Sequence, residues 1–309
     1  MKRELLISEF LSTPWALMPE RMRAFAGVMA RWQAGIPASE RTAEEIKAAR
    51  DAREARKASV SAQPGSIAVL PLYGVVTQRG NMVDDVSGPG SVSTQRFTQA
   101  LRDAIADPSV SQVLIDIDSP GGSVYGTPEL ADEIYQSRGA KPIVAIANSL
   151  AASAAYWIGA SASELYVTPS GEVGSIGVWQ AHYDYSKALE DDGVKVTLIS
   201  AGKFKVEGNA YEPLDAEAQA FMQTRIDDYY GAFVKAVARG RGVGVGDVRD
   251  NMGQGRVLGA EDALGRNMVD GIATFDDVIK KMQRSARAAT RPQNATRLQA
   301  AKRELEIVG

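Results

Sequence analysis

The sequence predicts an α/β protein, and three observations carry that reading. Short runs rich in Val and Ile alternate with helix-length segments from about residue 66 to 281, the pattern of parallel strands joined by crossover helices. A Gly-Gly pair directly follows one of those runs, where open α/β folds place their sites. The chain has 309 residues, 45% hydrophobic and 24% charged, which is the composition of an ordinary globular protein with a real core.

Residues 1–65 differ in texture and are expected to form a helical N-terminal extension and linker. A short helix candidate opens it, Glu40 to Lys57 is Ala-rich with interleaved charges, and Gln63-Pro64-Gly65 punctuates its end. A single folded domain is expected over 66–283. It begins with a β-rich run from Ile67 to Val76, whose Pro71 asks for an edge position or a bulge because it cannot donate to a ladder. Asn81 to Ser93, rich in Gly, reads as a loop. Val113–Ile117, Ile143–Ala147, Leu165–Thr168 and Val194–Ile199 are the further strand candidates. Thr94–Ala106, Thr127–Ser137, Ser149–Ala160, Tyr183–Leu189 and Asp215–Ala238 are the helices. Residues 284–309 are a basic tail, helical or disordered, and its Lys and Arg series reads as solvated.

Composition excludes several chemistries. With no cysteine there is no disulfide framework, thiol nucleophile or Cys-based metal site. With His182 as the one histidine, no multi-histidine metal site forms and a Ser/His/Asp triad would hang on a residue whose neighbours suggest a surface contact. No metal and no cofactor are expected. A net charge of -3 gives no global attraction to nucleic acid, so no nucleic-acid partner is expected. The charge-free stretch Pro142–Ser163 has the length of a membrane span, but Asn148, Ser149, Ser153, Gly159 and Ser161 interrupt it, so it reads as a buried strand entering a buried helix. Glu4 and Glu9 break the opening apolar run before it could serve as an export signal, and a cytoplasmic, membrane-free protein is expected. Gly240 to Gly246 does not fit a phosphate loop and reads as a connector.

Two segments could carry chemistry. In Asp116-Ile117-Asp118-Ser119-Pro120-Gly121-Gly122-Ser123, consecutive glycines let backbone N–H groups face outward as an oxyanion hole requires, and the same residues also suit a tight turn. In Ala147-Asn148-Ser149-Leu150-Ala151-Ala152-Ser153-Ala154-Ala155-Tyr156, a serine sits where a strand enters a helix, its small neighbours leave room for a substrate backbone, and the Ala154 N–H could contact an oxyanion. Ser149 suits a helix cap. A lysine is the alternative base to histidine. Lys205, in Gly202-Lys203-Phe204-Lys205-Val206-Glu207-Gly208-Asn209, would need its pKa lowered by roughly three units from about 10.4 to work near neutrality. Lys203 could assist it or be the base itself, and spacing alone reads both as solvated.

These motifs together resemble the signal peptide peptidase A family of serine proteases, in its bacteriophage head-maturation branch. Asp-Ser-Pro-Gly-Gly, Ala-Ala-Ser-Ala-Ala-Tyr, Gly174-Ser175-Ile176-Gly177-Val178 and Gly-Lys-Phe-Lys-Val-Glu-Gly-Asn-Ala-Tyr occur in that order, and the likeness covers roughly Ile67 to Ile279. The resemblance implies a Clp protease/crotonase-like fold and an ATP-independent Ser–Lys dyad. By position Ser153 matches the nucleophile, Lys205 rather than Lys203 the base, and Gly121 and Ala154 the oxyanion donors, with Gly122 the alternative to Gly121. Ser153-Ala154-Ala155 departs from the Ser-Gly-Gly of cellular members and alters the pocket. The small residues around Ser153 suit a small or medium residue before the cleaved bond. The resemblance also implies protein substrates, capsid and scaffold proteins among them, and a ring-like homo-oligomer in which neighbours can complete the site. Two rivals stay open: a non-catalytic assembly protein on the same fold, and a crotonase-type acyl-CoA enzyme.

Overall fold

A computed structural model describes residues 14–18, 65–79, 91–286 and 288. Its centre is a parallel stack of three strands, β2 (Ser66–Tyr73), β5 (Val110–Ser119) and β7 (Ile143–Ala152), paired in the order β2-β5-β7. β5 is buried on both faces over Val113–Ile117 and apolar there except for Asp116, as a central parallel strand must be when helices cover it. β2 ends this side of the sheet, which gives Pro71 the edge its missing N–H requires. The buried Asp116 carboxylate on β5 accepts from the Tyr73 hydroxyl of β2.

β7 is long enough to serve two neighbours. Val144–Ala147 pair with β8 (Glu164–Val167), and Leu150–Ala152 pair with β9 (Glu172–Gly174), which in turn carries β10 (Val257–Gly259) antiparallel. β11 (Gly271–Ile272) extends β8. A second, four-stranded sheet runs β1-β6-β3-β4, from Trp15–Leu17, Gly121–Ser123, Val75–Thr77 and Ser91–Ser93. It follows directly from β2 and β5, since Gly74 and Pro120 are all that separate those strands from β3 and β6.

The helices form where their caps and apolar spacing ask for them. Thr94–Ala106 starts with the Ser93 hydroxyl accepting from Arg96 N–H at 3.3 Å and buries Phe97, Leu101 and Ala104 along one stripe. Thr127–Ser137 carries Pro128 in its first turn and buries Leu130, Ala131 and Ile134. Ala216–Arg241 starts at Asp215, whose side chain accepts from Ala218 N–H at 2.8 Å, and stops at Gly242 in the left-handed region. Its buried residues Phe233, Val234, Val237 and Ala238 join the main core. At its end Arg241 pairs with Asp270 at 2.6 Å; burial raises the Asp270 carboxyl, but the Arg241 guanidinium and the Leu165 N–H outweigh it and hold it below its ordinary range.

Three expectations are corrected. Residues 15–17 form a strand, not part of a helical extension, because both their edges find backbone partners; the Glu40–Lys57 helix and the basic tail past 288 lie outside the described residues. Ser149 lies within β7 and caps nothing, since pairing with β9 carries the strand on to Ala152 before the helix Ala154–Gly159 starts. Val194–Ile199 forms no strand: it is largely exposed, and among the described residues no sheet edge meets it. No described helix is long and apolar enough to cross a membrane, and Pro142–Ser163 is the buried strand and helix its polar residues suggested.

Candidate active site

Ser153 stands at the corner where β7 turns into the Ala154–Gly159 helix. Its backbone has φ 56 and ψ -120, a region that L-residues enter at a cost of about 1–3 kcal/mol. The corner is imposed from several sides. Ser153 N–H donates to the Gly174 carbonyl at 2.7 Å, and the Ser153 carbonyl accepts from Trp157 N–H at 2.9 Å. Behind it Trp157 stacks on Phe233 of the long helix, ring centroids 4.6 Å apart. Ser153 is buried, and its Oγ lies 3.5 Å from the Gly177 carbonyl. A tightly held serine on a sharp strand-to-helix turn is how nucleophiles are presented at the top of α/β sheets.

The Gly-Gly loop meets this corner. Gly121 has φ 96, and a Cβ there would collide with the Ala16 carbonyl and come within 2.9 Å of the Ser153 Cβ. At Gly122 a Cβ would overlap the Val76 carbonyl of β3. Only glycine fits either place. The Ala154 N–H opens its helix and is among the donors a helix leaves without an internal partner. The Gly121 N–H donates to Ser119 Oγ at 3.2 Å, so the neighbouring hydroxyl holds it.

Ser153, Gly121 and Ala154 are thus brought together, whereas no hydrogen bond joins Lys205 to Ser153 among the described residues. Lys205 is exposed on irregular chain, its N–H bonded to the Gly202 carbonyl at 3.1 Å. Lys203 is engaged elsewhere, 3.0 Å from Glu217 and over the Phe204 ring. His182 supports the same region, with Nε2 2.9 Å from the Asn209 carbonyl, while Tyr185 N–H donates to Ala210 at 2.8 Å. The segment around Lys205 leaves large apolar side chains in solvent, Ile199 at 97% and Phe204 at 52% exposure.

Sequence reasoning gave no role to four residues, Ser119, Ser175, Trp15 and Trp179. Ser119 holds Gly121; its position two residues before the glycine was visible, but its direction was not. Ser175 lies at φ 53 directly after Gly174, so the chain beside Ser153 carries two positive-φ residues in succession. Trp15 and Trp179 lie side by side in antiparallel pairing; the signal available was Trp-Ala-Leu between Pro14 and Pro19, a short apolar run with turn residues at both ends.

The chain is similar to several known proteins. Residues 136–289 match Peptidase family S49. The chain is 34% identical over 258 residues to "Head-tail preconnector protein GP5" of Enterobacteria phage P21, covering 82% of this chain and 51% of that one. It is 34% identical over 231 residues to "Capsid assembly protease C" of Escherichia phage lambda, covering 75% and 51% respectively. It is 31% identical over 208 residues to "Protease 4" of Salmonella typhi, covering 67% of this chain and 33% of that one. The chain therefore spans about half the length of the two phage relatives. Among solved structures a ClpP1 mutant from Listeria monocytogenes is similar at 13% identity and TM-score 0.43, over 68% of this chain and 92% of that one. With its ordered motifs, its serine corner and these relatives, the chain belongs to Peptidase family S49.

Proposed function

We propose that the chain is a serine endopeptidase in which Ser153 is the nucleophile and Lys205 the base, acting on capsid and scaffold proteins during phage head maturation. The observation that carries this reading is the strained, buried Ser153 corner packed against Gly121, a backbone conformation that costs stability. The neutral Lys205 amine takes the Ser153 hydroxyl proton as Oγ attacks the scissile carbonyl. The N–H groups of Gly121 and Ala154 hold the oxyanion, Gly121 being released by Ser119 as the charge develops. The ammonium then returns its proton to the leaving amine, and water hydrolyses the acyl-enzyme.

The exposed apolar side chains around Lys205 support assembly as a homo-oligomer. A second copy covering Ile199 and Phe204 would bury the base and supply the desolvation that favours a neutral amine. The test is labelling with a fluorophosphonate probe and mass mapping on the wild type and on Ser153→Ala, Lys205→Ala and Lys203→Ala, with assembly state measured in parallel. Labelling at Ser153 that is lost in Lys205→Ala and kept in Lys203→Ala is expected. A folded, assembled wild type that never labels would favour the assembly-protein reading instead.

A further inference from the structure

The strand β1 lies between β6 and Trp179, beside Ser153. Trp15, Ala16 and Leu17 run antiparallel along β6, opposite Ser123, Gly122 and Gly121 in that order. The pairing continues at both ends, Val124 N–H to the Pro14 carbonyl and Met18 N–H to the Pro120 carbonyl, each at 3.2 Å. The other edge of β1 faces the chain that follows β9 and passes Ser153 at Gly177. Trp15 and Trp179 exchange N–H to carbonyl bonds at 2.9 and 3.0 Å, and the Trp179 indole N–H donates to the Leu17 carbonyl at 2.8 Å. Trp15 and Leu17 pack on Val75 and Trp179, and all three β1 residues are buried. The Ala16 carbonyl and the Ser153 Cβ both lie within 2.9 Å of one point beside Gly121.

An edge of backbone donors and acceptors can pair only once. β6 has β3 on one side, through Val76 opposite Gly122, and β1 on the other. No peptide can add to β6 beside Ser153 while Trp15–Leu17 is seated. We propose that Trp15–Leu17 is a tethered occupant of the substrate strand position, an intramolecular competitor that must leave before a substrate enters. This rests on the reading of Ser153 as the nucleophile. The occupant is held but not poised for attack: the Gly121 N–H is turned to Ser119, Ser153 Oγ faces the Gly177 carbonyl, and Pro19 follows Met18. Adding a strand to a free sheet edge is a common way to bind an extended peptide, and a covalently attached strand competes at high effective concentration.

The absence of native cysteines makes a clean test possible. Trp15→Cys with Ser123→Cys places two thiols directly opposite each other across the antiparallel pair, within disulfide reach. The full chain carries this pair together with Ser153→Ala, so binding is read without chemistry. A fluorescein-labelled peptide copying residues 13–18 is added, and folding of both redox forms is checked by circular dichroism. The reduced form should bind the peptide at least tenfold more tightly than the oxidised form. Equal binding by the two folded forms, or none by the reduced one, would overturn the proposal. In the chain with both tryptophans intact, saturating peptide should speed hydrogen exchange at the Trp15 N–H, and unchanged protection with peptide bound would also overturn it. Fluorophosphonate labelling of the reduced pair with Ser153 intact separates the two readings. A redox-dependent binding switch without labelling would sink the catalytic reading and leave the tethered occupant standing.

Discussion

The turn that carries Ser153 and the segment that carries Lys205 are opposite in physical character. Ser153 is fixed by two backbone hydrogen bonds and by Trp157 stacked on Phe233. Lys205 lies on irregular chain with exposed apolar neighbours, held to the body through contacts such as His182 with Asn209. One half of the proposed dyad is finished within a single chain, and the other lies exposed on it. A nucleophile gains from rigidity, whereas a base that must be neutral gains from being desolvated only in the assembled state.

Catalysis should respond most strongly to substitution at either half of the proposed dyad. Ser153→Ala should lower kcat for a peptide substrate by more than about a thousandfold while shifting the thermal midpoint little. Lys205→Ala should show the same loss, and an active Lys205→Ala protein would remove the lysine from the chemistry. Next comes stability. Phe233→Ala should cost about 3–5 kcal/mol by opening a cavity behind the serine corner. Ile199→Ala should leave unfolding of the single chain unchanged and weaken self-association in sedimentation velocity. A destabilised monomer in the second variant would mean that the segment is packed after all.

A smaller effect concerns strain. Ser153→Gly should raise stability in denaturant melts by about 1 kcal/mol, because glycine enters the positive-φ corner freely, and should abolish activity. A destabilised glycine variant would show that the corner is relaxed. The smallest is a pH effect at the Arg241–Asp270 pair, which fastens the long helix to the end of β8. The folded Asp270 carboxyl lies below its unfolded value, so its contribution is complete above the ordinary carboxylate pKa of about 3.9 and is lost as pH falls through the lowered folded value. The wild type should melt about 2–4 °C above Asp270→Asn near neutrality, and the gap should close in acid. A gap that stays constant down to the acid limit would point to packing instead of charge.

The serine side of the site was legible because its signals are local. A Gly-Gly pair after one strand and a serine after the next are sequence facts, and parallel neighbours bring the C-terminal ends of β5 and β7 to the same edge. The lysine side was legible only as a motif. Val194–Ile199 has the composition of a strand, but composition does not supply an edge to pair with, and none of the described strands offers one. Trp15–Leu17 shows the reverse case. Three residues carry no usable periodicity, yet two backbone edges are open to them and the strand forms.

The α/β class, the central strands Val113–Ile117 and Ile143–Ala147, the capped helices around them and the candidate serine are all encoded locally, because caps and apolar spacing act within a few residues. Long-range packing alone brings Gly121 to Ser153, turns the Gly121 N–H to Ser119, and seats Trp15–Leu17 in the gap between β6 and Trp179. Those contacts join segments far apart in the chain. They depend on which backbone edges remain free once the core has packed, and no local pattern records that.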